Sequence, residues 1–459
     1  MYQEISWQDP FLFFYAISHL PGVVFFDSAK EHEETGRYSF IAFDPFNTVI
    51  GKNNIFYYGK KKYNGNPFHL LENILATFSE EDDKNLPPFQ GGLAGLFSYE
   101  LNHYLEKLPR AAKDDLQFPD LALGLYDVVV AFDHLQKKAW IISSGYPEQD
   151  KKSREIRSAK RLHWVESLIQ QSSLPSVLRV TCDIQQLQQH FTRENYETAV
   201  KKVREYILAG DIFQANISRR FHLVLPEKLS VIDLYRRVRD INPAFFGCYF
   251  HLAETTIASV SPERFISMRD HCIETRPIKG TRPRGKTAKE DAELAHTLEN
   301  SAKDRAENMM IVDLMRNDLS RVAVNHSVKV KALCALESHP TVHHLVSTIQ
   351  ARLHDTLTSI DVLRATFPGG SITGAPKIRA MEIITEIEPV CRGPYCGSMG
   401  YLGFNGAMDS SILIRTFAIK NNIVTFQAGG AVVADSDPAA EYDETTAKAS
   451  ALVRALSSC

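Results

Sequence analysis

Lys279 sits in the segment 276–285, RPIKGTRPRG, among Arg276, Arg282 and Arg284. Neighbouring cations and partial burial both lower an amine's pKa, and a neutral amine near pH 7 is a nucleophile. Pro277 and Pro283 stiffen the stretch, while Gly280 and Gly285 allow unusual backbone angles. A basic surface loop is the plainer reading of these residues alone. Carboxylates recur at helical spacing in two places. In 301–323, SAKDRAENMMIVDLMRNDLSRVA, Glu307 falls one turn before Ile311 and Asp304 about one turn earlier. Both then lie on or near the apolar face that carries Met310, Ile311 and Leu314. A carboxylate facing a core needs a basic partner or a metal. In 437–456, DPAAEYDETTAKASALVRAL, Glu441 and Glu444 are three apart and Lys448 follows Glu444 at four. Carboxylates on two helices can hold Mg²⁺ through one or two oxygens and waters. Taken alone, the second stripe reads as a solvated Glu–Lys pair.

Other groups suit an anionic ligand. The stretch 368–384, PGGSITGAPKIRAMEII, reads as a Gly-rich turn feeding a helix that starts near Ala375. Such a turn presents backbone N–H groups to an anion, although it does not match the nucleotide P-loop pattern. Tyr395, Arg415 and an expected Gly429–Gly430 turn suit a carboxylated ligand, and Arg415 reads as mid-strand in SSILIRTFAI. His344 alternates with Val342 and Val346, so by pattern it is a core histidine. Together these groups suggest a cavity for a small polycarboxylate.

These side chains need a scaffold, and the chain is long enough for a large one. It has 459 residues, 44% hydrophobic and 23% charged, which excludes a disordered or low-complexity chain. A net charge of −3 supplies no electrostatic reason for a nucleic acid or membrane partner. No apolar run reaches the length of a membrane span, and the best, 121–132, is interrupted by Asp127. Seven scattered cysteines without a C-x-x-C pair fit a reducing compartment, so a cytoplasmic protein is expected. Short strands are predicted at 23–26, 38–43, 48–50, 55–58, 121–132 and 139–142, and a charged helix at 148–171. A linker-like SSLPS at 172–176 divides an N-terminal domain, 1–175, from a second, 190–459. The second opens with a helix capped by Thr192 and stopped by Gly210. Strand-like stretches follow at 212–225, 244–252 and 256–260. Helices are then predicted at 288–320, 359–365, 376–386 and 438–456, with strands at 342–352, 398–404, 410–419 and 422–428. Without a βαβ rhythm, the class is α+β.

In this order, SPERF (261–265), RPIKGTRPRG (276–285), DRAENMMIVDLMRND (304–318), PGGSITGAPKIRAMEI (368–383), GPYCGSMGY (393–401) and QAGGAVV…EYDETTAK (427–448) resemble the chorismate-utilising enzymes. FDSA (26–29), GRYSF (36–40) and GGLAGLFSYEL (91–101) resemble the companion domain of anthranilate and aminodeoxychorismate synthase large subunits. The resemblance implies an antiparallel β-sandwich core flanked by helices. It implies chorismate bound through Mg²⁺ on Glu307 and Glu444, with Asp304 and Glu441 assisting through water. Arg415, Tyr395 and the Gly429–Gly430 backbone would hold substrate carboxylate. Lys448, Gln214 and Ser371 would join the substrate site, and Ser371 stands where anthranilate synthases usually carry threonine. Glu263 would be the general acid/base, and His344 the histidine near the reacting ring.

Two positions select among reactions. Anthranilate synthases read P-I-A-G-T where this chain reads P-I-K-G-T, and the lysine resembles that of aminodeoxychorismate synthase component I. There the amine attacks C2 and the 4-hydroxyl leaves, then ammonia adds at C4 and expels the lysine. Isochorismate and salicylate synthases place a lysine base where Gln214 lies, so addition of water is disfavoured. No cysteine sits in a Gly-rich nucleophile elbow, which implies ammonia from a separate glutamine amidotransferase subunit in a heterodimer, for 4-aminobenzoate and folate synthesis. The segment 242–245, NPAF, carries Phe245 where relatives often have proline. The N-terminal domain resembles one that binds tryptophan. The competing readings are an anthranilate synthase component I, a catalytically silent tryptophan-binding subunit and, more remotely, a pyridoxal-phosphate enzyme built on Lys279.

Overall fold

A computed structural model describes residues 1–30, 35–170, 180–339 and 342–457. The expected linker at 172–176 and Cys459 lie outside the described residues. Two twelve-stranded antiparallel sheets form the centre. The first runs, edge to edge, Tyr2–Ile5, Lys138–Ser143, Val128–Asp133, Tyr38–Ala42, Val24–Asp27, Phe246–Leu252, Thr255–Ser261, Thr416–Lys420, Ile423–Val432, Gln214–Val224 and Gln188–Gln189, with Gly374–Ala375 also on Gln214–Val224. The second runs Ile278–Pro283, Val342–Arg352, Cys272–Thr275, Arg264–Arg269, Met408–Ile412, Ser398–Gly403, Gly92–Phe97, Leu121–Tyr126, Asn47–Lys52, Ile55–Tyr58 and Lys61–Asn64, with Lys329–Ser338 on Val342–Arg352.

The inner faces meet in one apolar layer. Val24, Phe40, Val129, Phe250 and Ile257 of the first sheet pack with Leu96, Ala122, Met399 and Tyr401 of the second. The outer face of the first sheet packs on helices Pro10–Ile17, Val231–Ile241 and Pro438–Ser457. The outer face of the second packs on Pro67–Thr77, Ala302–Ser320 and Ser359–Thr366. This is the α+β sandwich flanked by helices that the sequence leads one to expect. Segments from either side of the 175–190 join share both sheets. Val24–Asp27 pairs with Phe246–Leu252, and Gly92–Phe97 pairs with Ser398–Gly403.

Where the expected elements differ, a local cause is visible. The stretch 121–132 is two strands in different sheets, Leu121–Tyr126 and Val128–Asp133, with the chain crossing at Asp127. The buried Asp127 carboxylate is held there by Arg157 at 2.9 Å and Arg161 at 3.1 Å. Likewise 410–419 divides into Met408–Ile412 and Thr416–Lys420, again in different sheets. The expected helix 288–320 is two, Ala288–Glu299 and Ala302–Ser320, and Ser301 caps the second by accepting from the Asp304 N–H. The expected helix at 192–210 is Arg193–Leu208, with Thr192 as its cap.

Candidate active site

The stretch expected as a basic loop around Lys279 is the strand Ile278–Pro283, paired with Val342–Arg352. Its register shifts between Ile278 and Thr281, so Lys279 and Gly280 form a bulge. Gly280 has φ +83°, and a Cβ there would lie 2.9 Å from Leu298 Cδ1 and 3.0 Å from Asp304 Cβ. Only glycine fits this close approach to the helix that carries Asp304 and Glu307. The bulge lets the half-buried Lys279 turn its Nζ to the Ser371 carbonyl, 3.0 Å away. Burial lowers its pKa, and Glu307 and Glu263 are close enough to oppose that shift. Glu263 follows the strand Thr255–Ser261, is 5% exposed, and is pushed above the usual carboxylate range by burial. A hydrogen bond with Ser371 and the Lys279 charge moderate that rise.

The acidic groups converge from two helices and a loop. Glu307, on Ala302–Ser320, is half-buried and raised by burial, with Asp304 and Glu444 adding repulsion. Glu441, on Pro438–Ser457, is 5% exposed, accepts from Ser436 Oγ at 2.7 Å, and leaves Oε2 buried with no hydrogen-bond partner. Glu444 is about half open to solvent and pairs with Lys448 at 2.6 Å; burial raises its pKa, but Lys448, Lys303 and Lys279 together hold it below its usual range. Asp304 is paired with Arg282 at 3.0 Å. A Cβ at Gly430 would come within 3.0 Å of Glu441 Oε2 and 3.3 Å of Glu444 Oε1. Gly429 and Gly430 do not form the expected turn. They lie inside the strand Ile423–Val432, opposite Ser218 and Ile217, and serve by leaving room for the side chains above them.

Among the described residues no three His, Cys, Asp or Glu side chains converge into a ready-made metal cage. Mg²⁺ does not require one, because it keeps several waters and takes one or two carboxylates. The orphaned Glu441 oxygen, the close approach of Glu441 and Glu444 to the Gly430 backbone and the mutual repulsion of Glu307, Glu441 and Glu444 fit a hydrated divalent cation.

The opposite wall is a buried polar platform. Tyr395 is 7% exposed, and its hydroxyl would lie 2.9 Å from a Cβ at Gly429. Gln214, 1% exposed, has an unpartnered Oε1 at the start of Gln214–Val224. Lys448 Nζ donates to the Gly429 carbonyl at 2.9 Å. Beneath them Arg392 donates to the carbonyls of Asn216 at 2.6 Å and Ile372 at 3.2 Å, and pairs with Glu388 at 2.7 Å. Glu388 Oε1 in turn accepts from the Ser218 N–H and hydroxyl. Arg392 and Glu388 were not singled out from the sequence. An i,i+4 Glu–Arg pair reads as solvated until its burial is known.

His344 and Arg415 close the third side. His344 Nδ1 is 2.9 Å from Thr281 Oγ1. Burial drives its pKa down to about 3, with Arg415, His339 and Lys30 adding to the effect, so it is neutral. Arg415 is not mid-strand. It lies at φ +51° in the crossover between the two sheets, half-buried. A regular strand would send alternate residues to opposite faces, whereas the crossover points Arg415 toward His344. Burial lowers its pKa, and no anion faces it among the described residues. Lys279 thus lies close enough to Glu307, Glu263, Lys448 and Glu444 to feel their charges, and His344 close enough to feel Arg415.

The chain belongs to the chorismate binding enzyme family, whose profile matches residues 23–454. It is 41% identical over 450 residues to aminodeoxychorismate synthase component 1 of Escherichia coli (strain K12), covering 97% of this chain and 95% of that protein. It is 38% identical over 437 residues to anthranilate synthase component 1 of Thermus thermophilus, covering 95% and 92%. The crystal structure of anthranilate synthase component I from Streptococcus pneumoniae TIGR4 superposes with a TM-score of 0.81 at 31% identity, covering 93% of this chain and 94% of that one.

Proposed function

We propose that this chain aminates chorismate to 4-amino-4-deoxychorismate, the step that leads to 4-aminobenzoate and folate. The observation that carries this reading is Lys279 itself, an amine of lowered pKa turned by a bulge toward Glu263 and the Ser371 carbonyl. The relatives of both reaction types are of similar identity, so the site chemistry makes the choice. The Lys279 amine, once deprotonated, attacks C2 of the ring, electrons shift through the ring π-system, and the C4–oxygen bond breaks. Glu263, raised by burial, donates the proton that lets the 4-hydroxyl leave as water. Ammonia then adds at C4 and the C2–nitrogen bond breaks, returning Lys279. Tyr395, Arg415 and Lys448 hold substrate carboxylate, and neutral His344 faces the ring. Glu307 and Glu444, with Asp304 and Glu441, would hold Mg²⁺, which neutralises substrate carboxylate charge when bound.

Residues 190–459 supply every one of these groups, with 1–175 as companion, and a separate glutamine amidotransferase supplies ammonia in a heterodimer. Tryptophan is proposed for the cavity of about 460 Å³ between the sheets, lined by Phe26, Arg264, Met268, Tyr401 and Ser410. Calorimetry that detects no tryptophan binding removes that ligand. Action in the cytoplasm is supported by the described cysteines, all unbridged.

Mass spectrometry of the product from chorismate, Mg²⁺ and ammonium tests the reaction. Aminodeoxychorismate from the wild type, lost or diverted to anthranilate in Lys279→Ala, supports it. Anthranilate from the wild type would sink it.

A further inference from the structure

Lys30 lies beyond the strand Val24–Asp27, in a stretch pinned to the rest of the molecule on both sides. Asp27 accepts from Tyr235 at 2.8 Å and Arg239 at 2.5 Å, and Ser28 Oγ bonds the Tyr38 carbonyl at 2.7 Å and faces the Phe245 carbonyl at 3.3 Å. The half-buried Lys30 ammonium stands 5.5 Å from the Phe245 ring centroid, a cation–π approach. It lines a small cavity with Arg415, His344, His339 and Pro262. Among the described residues neither Lys30 nor Arg415 has an ion pair or a side-chain hydrogen bond. Two partly desolvated cations sharing one cavity repel each other unless an anion sits between them. Consistent with this, burial and the Arg415 charge both hold the Lys30 pKa below its usual value. The cavity measures about 20 Å³. That exceeds the ~10–15 Å³ one water needs and matches the end of a ligand, not a whole ring.

We infer that Lys30 and Arg415 together form a two-cation seat for one carboxylate of the substrate, with Phe245 steadying Lys30 over it. Lys30 is thereby a substrate-binding residue contributed by the N-terminal segment to a site otherwise built from 190–459. The inference rests on the chorismate reading given above. A charged side chain that binds the carboxylate in ground state and transition state alike changes KM and leaves kcat in place.

Steady-state rates of the full chain with chorismate, Mg²⁺ and ammonium test this in the wild type, Lys30→Gln, Lys30→Met and Lys30→Arg. The expected result is a chorismate KM raised on the order of tenfold in the first two variants, with kcat within about twofold and recovery in Lys30→Arg. Lys30→Met keeps the aliphatic stem against Phe245, so it separates lost charge from lost packing. Unchanged thermal unfolding identifies variants that have folded. An unchanged KM in either folded variant overturns the assignment alone. A kcat loss without a KM change also overturns it. A wild-type chain that neither turns over nor binds chorismate overturns the functional reading with it.

Discussion

At the scale of single residues, opposing electrostatic effects set protonation state. Lys279 is pushed toward neutrality by burial and pulled back by Glu307 and Glu263, while Glu263 is pushed toward its protonated form. A nucleophilic amine and a carboxylic acid need those directions of shift. Replacing Glu263 by Gln removes the proposed proton donor at nearly constant shape. The turnover rate should fall by about 10²–10⁴-fold, with chorismate binding retained, as read by single-turnover kinetics and calorimetry. Retention of full turnover would end its role as acid. His344 supplies a stability prediction. It is held down to about 3 in the folded chain, against an ordinary 6.5. Between those values the unfolded chain binds the extra proton, so stability is present above about 6.5 and is lost as pH falls toward about 3. His103, lowered to about 4, acts with the same sign. Urea midpoints from pH 7.5 to 4.5 should therefore fall less steeply in His344→Gln than in the wild type.

At the scale of elements, the site depends on backbones coming close. The strand Ile423–Val432 carries glycine under the carboxylates of the helix Pro438–Ser457. Gly430→Ala puts a methyl 3.0 Å from Glu441 Oε2. The Mg²⁺ concentration for half-maximal activity should rise by about tenfold, since misplacing one charged ligand costs roughly 1.4 kcal/mol or more. An unchanged Mg²⁺ requirement would mean that Glu441 and Glu444 do not bind the ion. Arg392 and Glu388, at 2% and 4% side-chain exposure, tie Asn216, Ser218 and Ile372 into one unit beneath Tyr395. Glu388→Ala leaves a buried guanidinium unpaired, which costs about 3–5 kcal/mol, and chemical denaturation measures it.

At the scale of the whole molecule, the two halves of the chain are woven through both sheets. Residues 1–175 contribute Val24–Asp27, which lies between Tyr38–Ala42 and Phe246–Leu252, and Gly92–Phe97, which lies beside Ser398–Gly403. A fragment of 190–459 has lost those partners, and long apolar edges are then exposed. Expressed alone it should aggregate or melt without cooperativity, and co-expression with 1–175 should restore a soluble complex. A cooperative calorimetric transition in the isolated fragment would refute this. Lys30 follows the same logic, since a residue far away in sequence reaches the cavity it shares with Arg415 only because Val24–Asp27 pairs with Phe246–Leu252.

Local chemistry was legible in the order of residues. Spacing within a helix sets which side chains share a face, so Asp304 with Glu307 and Glu441 with Glu444 could be grouped without coordinates. The Thr192 cap and the helices at 359–365 and 376–386 followed from short-range rules of the same kind. The tertiary structure decided what depends on partners distant in the chain. The bulge at Lys279 exists because Ile278–Pro283 pairs with Val342–Arg352. The crossover at Arg415 exists because its flanking strands join different sheets. The burial of Glu388 with Arg392, and the meeting of Lys30 with Arg415, depend on surfaces that no local pattern encodes. Charge and spacing act over a few residues, whereas burial, register and desolvation are properties of the packed whole.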